Sequence, residues 1–385
     1  MHGSFRSIVM AIAIVLASCG GGDGGMPASV ELPTHADTAL AAVGLIETRC
    51  SSTLIDVGGA DDAPAYVLTA GHCTGLEPIL YPYVIDAGPA DGGVIHFGAF
   101  VDAAPIDATI AQMMYESMDG TDLGIYRLDA TIGSMRARGV APIALADAPP
   151  ATGAPITIAS YPMEVPEDPK RVLHASHCDE DASVRLAEGP FVFLDFLAND
   201  CAWIRAGSSG GAFLDEHGRL FAVLSTQADP PTDGQPPCWL NVPCELDGGV
   251  HMRVGETYGA PIRSLASCFT GGVFDLDAPG CSLTRTDVPS VAPINGRFTD
   301  DAISKWQVAI ADHGLPYYRI KQGAAADVRC DEDTGYGAPI AIADRPLFDD
   351  PITSAHPRVL CIQGLAGLTP QPATRFLERT IMLVI

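Results

Sequence analysis

Ala206-Gly207-Ser208-Ser209-Gly210-Gly211-Ala212 carries the strongest chemical signal in the chain. Its glycines and serines stand between two apolar runs, Ala202-Trp203-Ile204 and Ala212-Phe213-Leu214. Glycine packs nothing and costs backbone entropy, so the stretch suits a sharp turn better than a strand interior. Such a turn lifts a hydroxyl out and leaves bare N–H groups beside it. Acyl transfer needs that combination, a nucleophile plus donors aimed at the oxyanion of a tetrahedral intermediate. A glycine-rich surface loop accounts for the same residues, and this stretch alone does not separate the two readings. Two other stretches carry acid–base groups. Val67-Leu68-Thr69-Ala70-Gly71-His72-Cys73 is an apolar strand running into a small-residue turn that presents a histidine. Thr121-Asp122-Leu123-Gly124-Ile125-Tyr126-Arg127-Leu128 sets an aspartate on or just before a strand.

The serine stretch resembles the Gly-Asp-Ser-Gly-Gly motif of chymotrypsin-like serine proteases, in the Gly-Ser-Ser-Gly form of bacterial lysyl- and glutamyl-endopeptidase relatives. Ser209 directly precedes Gly210-Gly211, which makes it the nucleophile by this resemblance. The histidine stretch is similar to the family's Thr-Ala-Ala-His-Cys element, and the aspartate stretch to its Asp-Ile-Ala-Leu-Leu segment. The resemblance implies His72 as general base and Asp122 as the group that fixes its tautomer. The order His, Asp, Ser is that of chymotrypsin and not of subtilisin or the α/β-hydrolases. It further implies an oxyanion hole from the N–H groups of Gly207 and Ser209, and a disulfide from Cys50 to Cys73. The implied fold is all-β: two six-stranded antiparallel β-barrels, with the three residues in the cleft between them.

Composition fits a turn-rich β protein with sizeable cores: 47% of residues are hydrophobic, with 40 glycines and 31 prolines. The net charge is −25 and only three of the 22 basic residues are lysines, which argues against nucleic acid as a partner. The chain has eleven cysteines, and with an export signal they point to an oxidising compartment. The odd count leaves one cysteine for another use. Residues 1–18 read as a signal peptide, because the apolar run Ile8–Leu16 falls short of the ~20 residues that span a bilayer. Leu16-Ala17-Ser18-Cys19-Gly20 resembles a bacterial lipobox, which implies acylation of Cys19 and an anchor in a bacterial membrane, at the outer membrane or cell surface. An ordinary secretory signal with an incidental cysteine is the alternative. Residues 19–36 read as a flexible tether.

Residues 37–270 read as the protease domain, 271–293 as a linker, and 294–385 as a small C-terminal β-sandwich resembling bacterial immunoglobulin-like repeats. In the first barrel, strands are expected at Ala39–Ile46, Cys50–Val57 and Ala65–Leu68; in the second, at Ile156–Ser160, Arg171–Ala175, Phe191–Phe196 and Arg219–Ser225. Tyr258–Cys268 is expected to close the domain as a short helix, and Thr380–Val384 to be the last strand. Besides Cys50–Cys73, the expected disulfides are Cys178–Cys201, Cys238–Cys244, Cys268–Cys281 and Cys330–Cys361. A metal cluster at His174, His177 and Cys178 is disfavoured, since ligand spacing is irregular and the sulfurs should be oxidised; a loop with one disulfide is expected there. Acids at Asp331–Asp333 read as solvated, and neither metal nor cofactor is expected.

The expected activity is that of a secreted, lipid-anchored serine endopeptidase acting on proteins or peptides. Its rival is a catalytically idle protease fold kept as a binding module, with the C-terminal domain contacting a surface or substrate. Counting back from Ser209 puts Trp203 at the base of the specificity pocket, with Ser225 and Gln227 in its wall. Asp233, Glu245 and Asp247 are acids that loop folding can bring to the pocket. Ser208 stands where digestive relatives carry an aspartate that pairs with a new N-terminus, so activity is expected without a proteolytic switch.

Overall fold

The structure is a computed structural model. It describes residues 29–47, 50–74, 84–85, 88, 93–163, 171–235, 237–283, 305–306, 308–310, 314–351 and 358–369. The expected signal peptide, Cys19, much of the linker and the strand at Thr380–Val384 lie outside the described residues.

The first ring is built from β1 (Val43–Ile46), β2 (Cys50–Asp56), β3 (Pro64–Thr69), β4 (Val94–Phe97), β5 (Ile106–Ser117) and β6 (Leu123–Thr131). The pairing order is β1-β4-β5-β6-β3-β2, all antiparallel, and β2 pairs back onto β1, so the sheet closes as a six-stranded barrel. Closure leaves no open edge between these strands. Register shifts in the long strand β5 at Ile110/Gln112 and Met113/Tyr115 bend it around the ring.

The second ring is β7 (Pro155–Ser160), β8 (His174–Glu188), β9 (Phe191–Asn199), β10 (Ala212–Leu214), β11 (Leu220–Gln227) and β12 (Thr257–Pro261). Its order is β8-β7-β10-β11-β12-β9, again antiparallel and closed by the β8–β9 pair. The architecture is therefore two six-stranded antiparallel barrels, and it is nearly all β.

Several local expectations are corrected. Ala39–Ile46 opens as a 3-10 turn, Thr38–Ala42, before the strand starts at Val43. Tyr258–Cys268 is not a helix: its first residues are taken by β12, whose pairing with both β9 and β11 completes the second ring, and only Leu265–Cys268 is a 3-10 turn. His174, His177 and Cys178 lie on strand β8 rather than in a loop. The expected tether ends early, because Ser29–Glu31 adds to the edge of β8, pairing Ser29 with His177 and Glu31 with Ala175.

Five disulfides join Cys50–Cys73, Cys178–Cys201, Cys238–Cys244, Cys268–Cys281 and Cys330–Cys361. The hairpin inside the Cys268–Cys281 loop packs on the first barrel. There Phe269 meets the Tyr66 ring edge-on at 5.2 Å, and the Phe274 N–H donates to the Tyr66 hydroxyl.

Beyond the barrels stand β13 (Val308–Ala309), β14 (Tyr317–Ala324), β15 (Ile340–Ala341), β16 (Leu347–Phe348) and β17 (Arg358–Leu365). They form a three-stranded and a two-stranded antiparallel sheet around Trp306, Tyr318, Phe348 and Leu360. This unit is held against the second barrel by Arg185, whose guanidinium donates to the carbonyls of Ala325, Ala326 and Val328 and to Asp247. Cys330 and Cys361 pack there against Cys238 and Cys244 in one apolar cluster.

Candidate active site

Each of the three chemical stretches ends at the seam between the barrels. Strand β3 delivers the chain into the 3-10 turn Gly71–Cys73, which presents His72 and is tied by Cys50–Cys73 to the start of β2. Asp122 is the residue before β6, and the pairing of Thr69 with Gly124 sets that end of β6 beside the histidine turn. The loop carrying Ser209 runs directly into β10.

Asp122 is almost wholly buried and accepts three hydrogen bonds: from the His72 N–H at 3.0 Å, from His72 Nδ1 at 2.7 Å and from the Ser225 hydroxyl at 2.6 Å. Burial alone would push this carboxyl up, but the His72 charge and the donors from His72 and Ser225 outweigh it and hold its pKa below the usual carboxylate value. An ionised carboxylate only accepts, so the bonded Nδ1 carries the proton and Nε2 keeps its lone pair. For His72, burial pulls the pKa down, while the charge and hydrogen bond of Asp122, helped by Glu188 and Glu116, raise it above 6.5 on balance.

The Ser209 turn is anchored through its carbonyls. That of Ala206 accepts from the Met163 N–H at 2.7 Å, and that of Ser208 from the Gly211 N–H at 2.9 Å. The Gly207 carbonyl accepts from the Ser51 hydroxyl at 3.1 Å and from Arg171 Nη2 at 3.3 Å, and the Ser209 carbonyl accepts from the Ser51 N–H at 2.7 Å. A trans peptide points its N–H opposite its carbonyl. Pinning Ala206 and Ser208 therefore aims the N–H groups of Gly207 and Ser209 to the other side of the turn. Among the described residues neither donates to a protein acceptor. Glycine is required at both positive-φ positions of this turn. A β-carbon on Gly207 (φ 86°) would strike the Arg171 guanidinium, and one on Gly210 (φ 81°) the Ser51 carbonyl.

His72, Asp122 and Ser209 line one cavity of about 290 Å³. The Ser209 hydroxyl lies 3.4 Å from the Ser225 carbonyl. Among the described residues no hydrogen bond joins this hydroxyl to His72; a contact of that kind commonly forms or tightens only when substrate arrives. A hydroxyl, a neutral imidazole and a buried carboxylate around one cavity are the groups nucleophilic acyl transfer requires.

Of the residues read as a specificity pocket, Ser225 and Gln227 line this cavity and Trp203 does not. Its backbone is left-handed (φ 65°), and the next residues, Ile204, Arg205 and Ala206, take the wall instead. Asp233, Glu245 and Asp247 do not line it either: Asp247 pairs with Arg185, and Glu245 accepts from the Tyr258 hydroxyl. An acid that sequence reasoning missed, Glu188 at the tip of the β8–β9 hairpin, also lines the cavity. It is buried and accepts from the Thr226 hydroxyl at 3.0 Å and the Asn241 N–H at 2.8 Å. Burial pushes its carboxyl up to about 7 against the pull of those donors.

Similar solved structures include a thermostable serine protease, AL20, from an extremophilic microorganism. It is 15% identical, with 59% of this chain and 94% of that one covered and a TM-score of 0.37. The MamO protease domain from Magnetospirillum magneticum is 13% identical, with 61% and 99% covered and a TM-score of 0.40. A Glu endopeptidase is 15% identical, with 64% and 94% covered and a TM-score of 0.36. No curated protein matches the chain. Residues 50–223, the stretch that holds His72, Asp122 and Ser209, match the family model of the trypsin-like peptidase domain.

Proposed function

We propose that the protein is a serine endopeptidase that cuts proteins or peptides through Ser209, His72 and Asp122. The observation that carries this reading is the Nδ1–H hydrogen bond from His72 to buried Asp122, with Ser209 on the same cavity. In the first step His72 Nε2 takes the proton of Ser209 as its Oγ attacks the scissile carbonyl. The charge that develops on the carbonyl oxygen is met by the N–H groups of Gly207 and Ser209, each such donor being worth ~3 kcal/mol. The imidazolium, stabilised by Asp122, then protonates the leaving amine as the C–N bond breaks. Water repeats the cycle on the acyl-enzyme and restores the free hydroxyl.

An activated ester tests this reading. The protein should release the ester's alcohol in a burst equal to the enzyme present, followed by slower turnover. Ser209→Ala should abolish the burst and lower turnover by orders of magnitude. Turnover that survives Ser209→Ala unchanged contradicts the reading.

The same reading takes residues 37–270 as the protease domain and 294–385 as a separate C-terminal domain. Cys19 carries a lipid anchor on the outer face of a bacterial membrane. Extraction should then require detergent, and Cys19→Ser should release or misprocess the protein. A wild-type product that is water-soluble and begins at another residue excludes the anchor.

A further inference from the structure

Glu188 sits in the cavity wall and, beyond the charge it sets near His72, touches none of the reacting atoms of the proposed acyl transfer. One carboxyl oxygen, Oε1, takes both donors, the Thr226 hydroxyl and the Asn241 N–H, which fixes the group in place. The other, Oε2, takes no donor among the described residues, and no arginine or lysine among them lies within ion-pair distance. Met118, Phe191, Phe193, Leu224 and Leu240 give the cavity an apolar wall, beside the polar Ser225, Thr226, Gln227 and Asn241. A buried carboxylate is costly without a cation, and burial already pushes this one up to about 7. The remaining charged groups on the cavity are His72 and Asp122, which engage each other, and Arg205 and Asp229, which are exposed.

We propose that Glu188 selects a lysine or arginine side chain of the substrate, with the alkyl stem along the apolar walls and the charged head on Oε2. This deepens the acyl-transfer reading, on which it rests for the nature of the ligand. Apolar walls suit the methylene stem, as they do for snorkelling lysines elsewhere. A hydrogen-bonded charge pair shielded from water supplies the discrimination.

Two measurements separate this proposal from the peptidase reading. The first uses Ser209→Ala protein, which needs no chemistry, and compares binding of Nα-acetyl-lysine amide with Nα-acetyl-norleucine amide, the same stem without the ammonium. The lysine compound should bind ~10- to 100-fold more tightly, and the preference should vanish when Glu188→Gln is added. Equal binding of the two compounds, or a preference that survives Glu188→Gln, overturns the proposal. The second digests a random peptide library with wild-type protein and with Glu188→Gln. Lysine and arginine should be enriched at one position beside the cut in the wild type, and the cuts the variant still makes should lack that enrichment. Enrichment of aspartate or glutamate instead would show that Arg205 governs the cavity, and it overturns the proposal. A binding preference without any cutting would sustain the cation site and refute the peptidase. Cutting without a cation preference would do the reverse.

Discussion

Arg171 and Gly207 are joined by a hydrogen bond from Nη2 to the Gly207 carbonyl at 3.3 Å, while Nε and Nη2 also hold the Tyr161 carbonyl. Burial pulls the guanidinium pKa down to about 10, and among the described residues it has no carboxylate partner. The contact braces the turn through its Gly207 carbonyl. Arg171 is in this sense a positioning residue for the proposed oxyanion hole.

Removing that brace should therefore cost rate more than binding. Arg171→Met is expected to lower kcat by ~10- to 100-fold with KM little changed, and Arg171→Lys to recover part of the loss. Ester kinetics on folded variants check this. A loss confined to KM would mean that Arg171 acts on substrate binding instead.

The acidic limb of the pH–rate profile should lie above 6.5. His72 must be neutral to accept a proton, and Asp122, Glu188 and Glu116 together raise its pKa against the effect of burial. The rate then falls as pH drops through that raised value. Glu188→Gln removes one of the anions, so its limb should move to lower pH than the wild type's. A limb that stays in place in the variant would show that Glu188 does not act on the imidazole. Arg205 and Asp229 also face the cavity, and both are unchanged in this comparison.

Stability should carry a separate pH signature from Glu180. Glu180 on β8 pairs with Asn199 on β9, and Asn199 with Thr257 on β12, which puts their side chains on one inner face of the second barrel. Both carboxyl oxygens of Glu180, Nδ2 of Asn199 and Oγ1 of Thr257 have no protein partner among the described residues. Burial, with the charge of Asp181, pushes the Glu180 carboxyl up to about 8 from its usual 4.5. The folded form thus keeps a proton that the unfolded chain gives up near 4.5. Its stability is fullest below that pH and declines as pH rises toward 8. Glu180→Gln stays neutral throughout, so its Tm advantage over the wild type should widen by roughly 5 °C or more between pH 5 and pH 8. A difference that does not change with pH would contradict this.

What could be read from sequence was local. His72, Asp122 and Ser209 each stand in a short stretch whose strand or turn character is written in its neighbours, and each turned up at the seam between the barrels. The pocket was harder, because its wall is assembled across the fold. Glu188 precedes Gly189-Pro190 with no motif around it, and reaches the cavity only because the β8–β9 hairpin folds toward Thr226 and Asn241. Counting along the chain places Trp203 at the pocket base, but its backbone is left-handed and the cavity is lined by the residues after it, Ile204 to Ala206. Tyr258–Cys268 is expected as a closing helix, but its first residues fill the place between β9 and β11 as a strand, a pairing that no local pattern announces. The bracing by Arg171 spans 36 residues of sequence and leaves no local mark.

The central claim is that Ser209 is the nucleophile, and covalent labelling tests it most directly. A fluorophosphonate incubated with the oxidised, full-length protein should form one adduct, mapped by peptide mass spectrometry to Ser209. Labelling should slow as pH falls and His72 is protonated, and it should be absent in Ser209→Ala. An intact, folded protein that never labels, or an adduct on any other residue, would contradict the account.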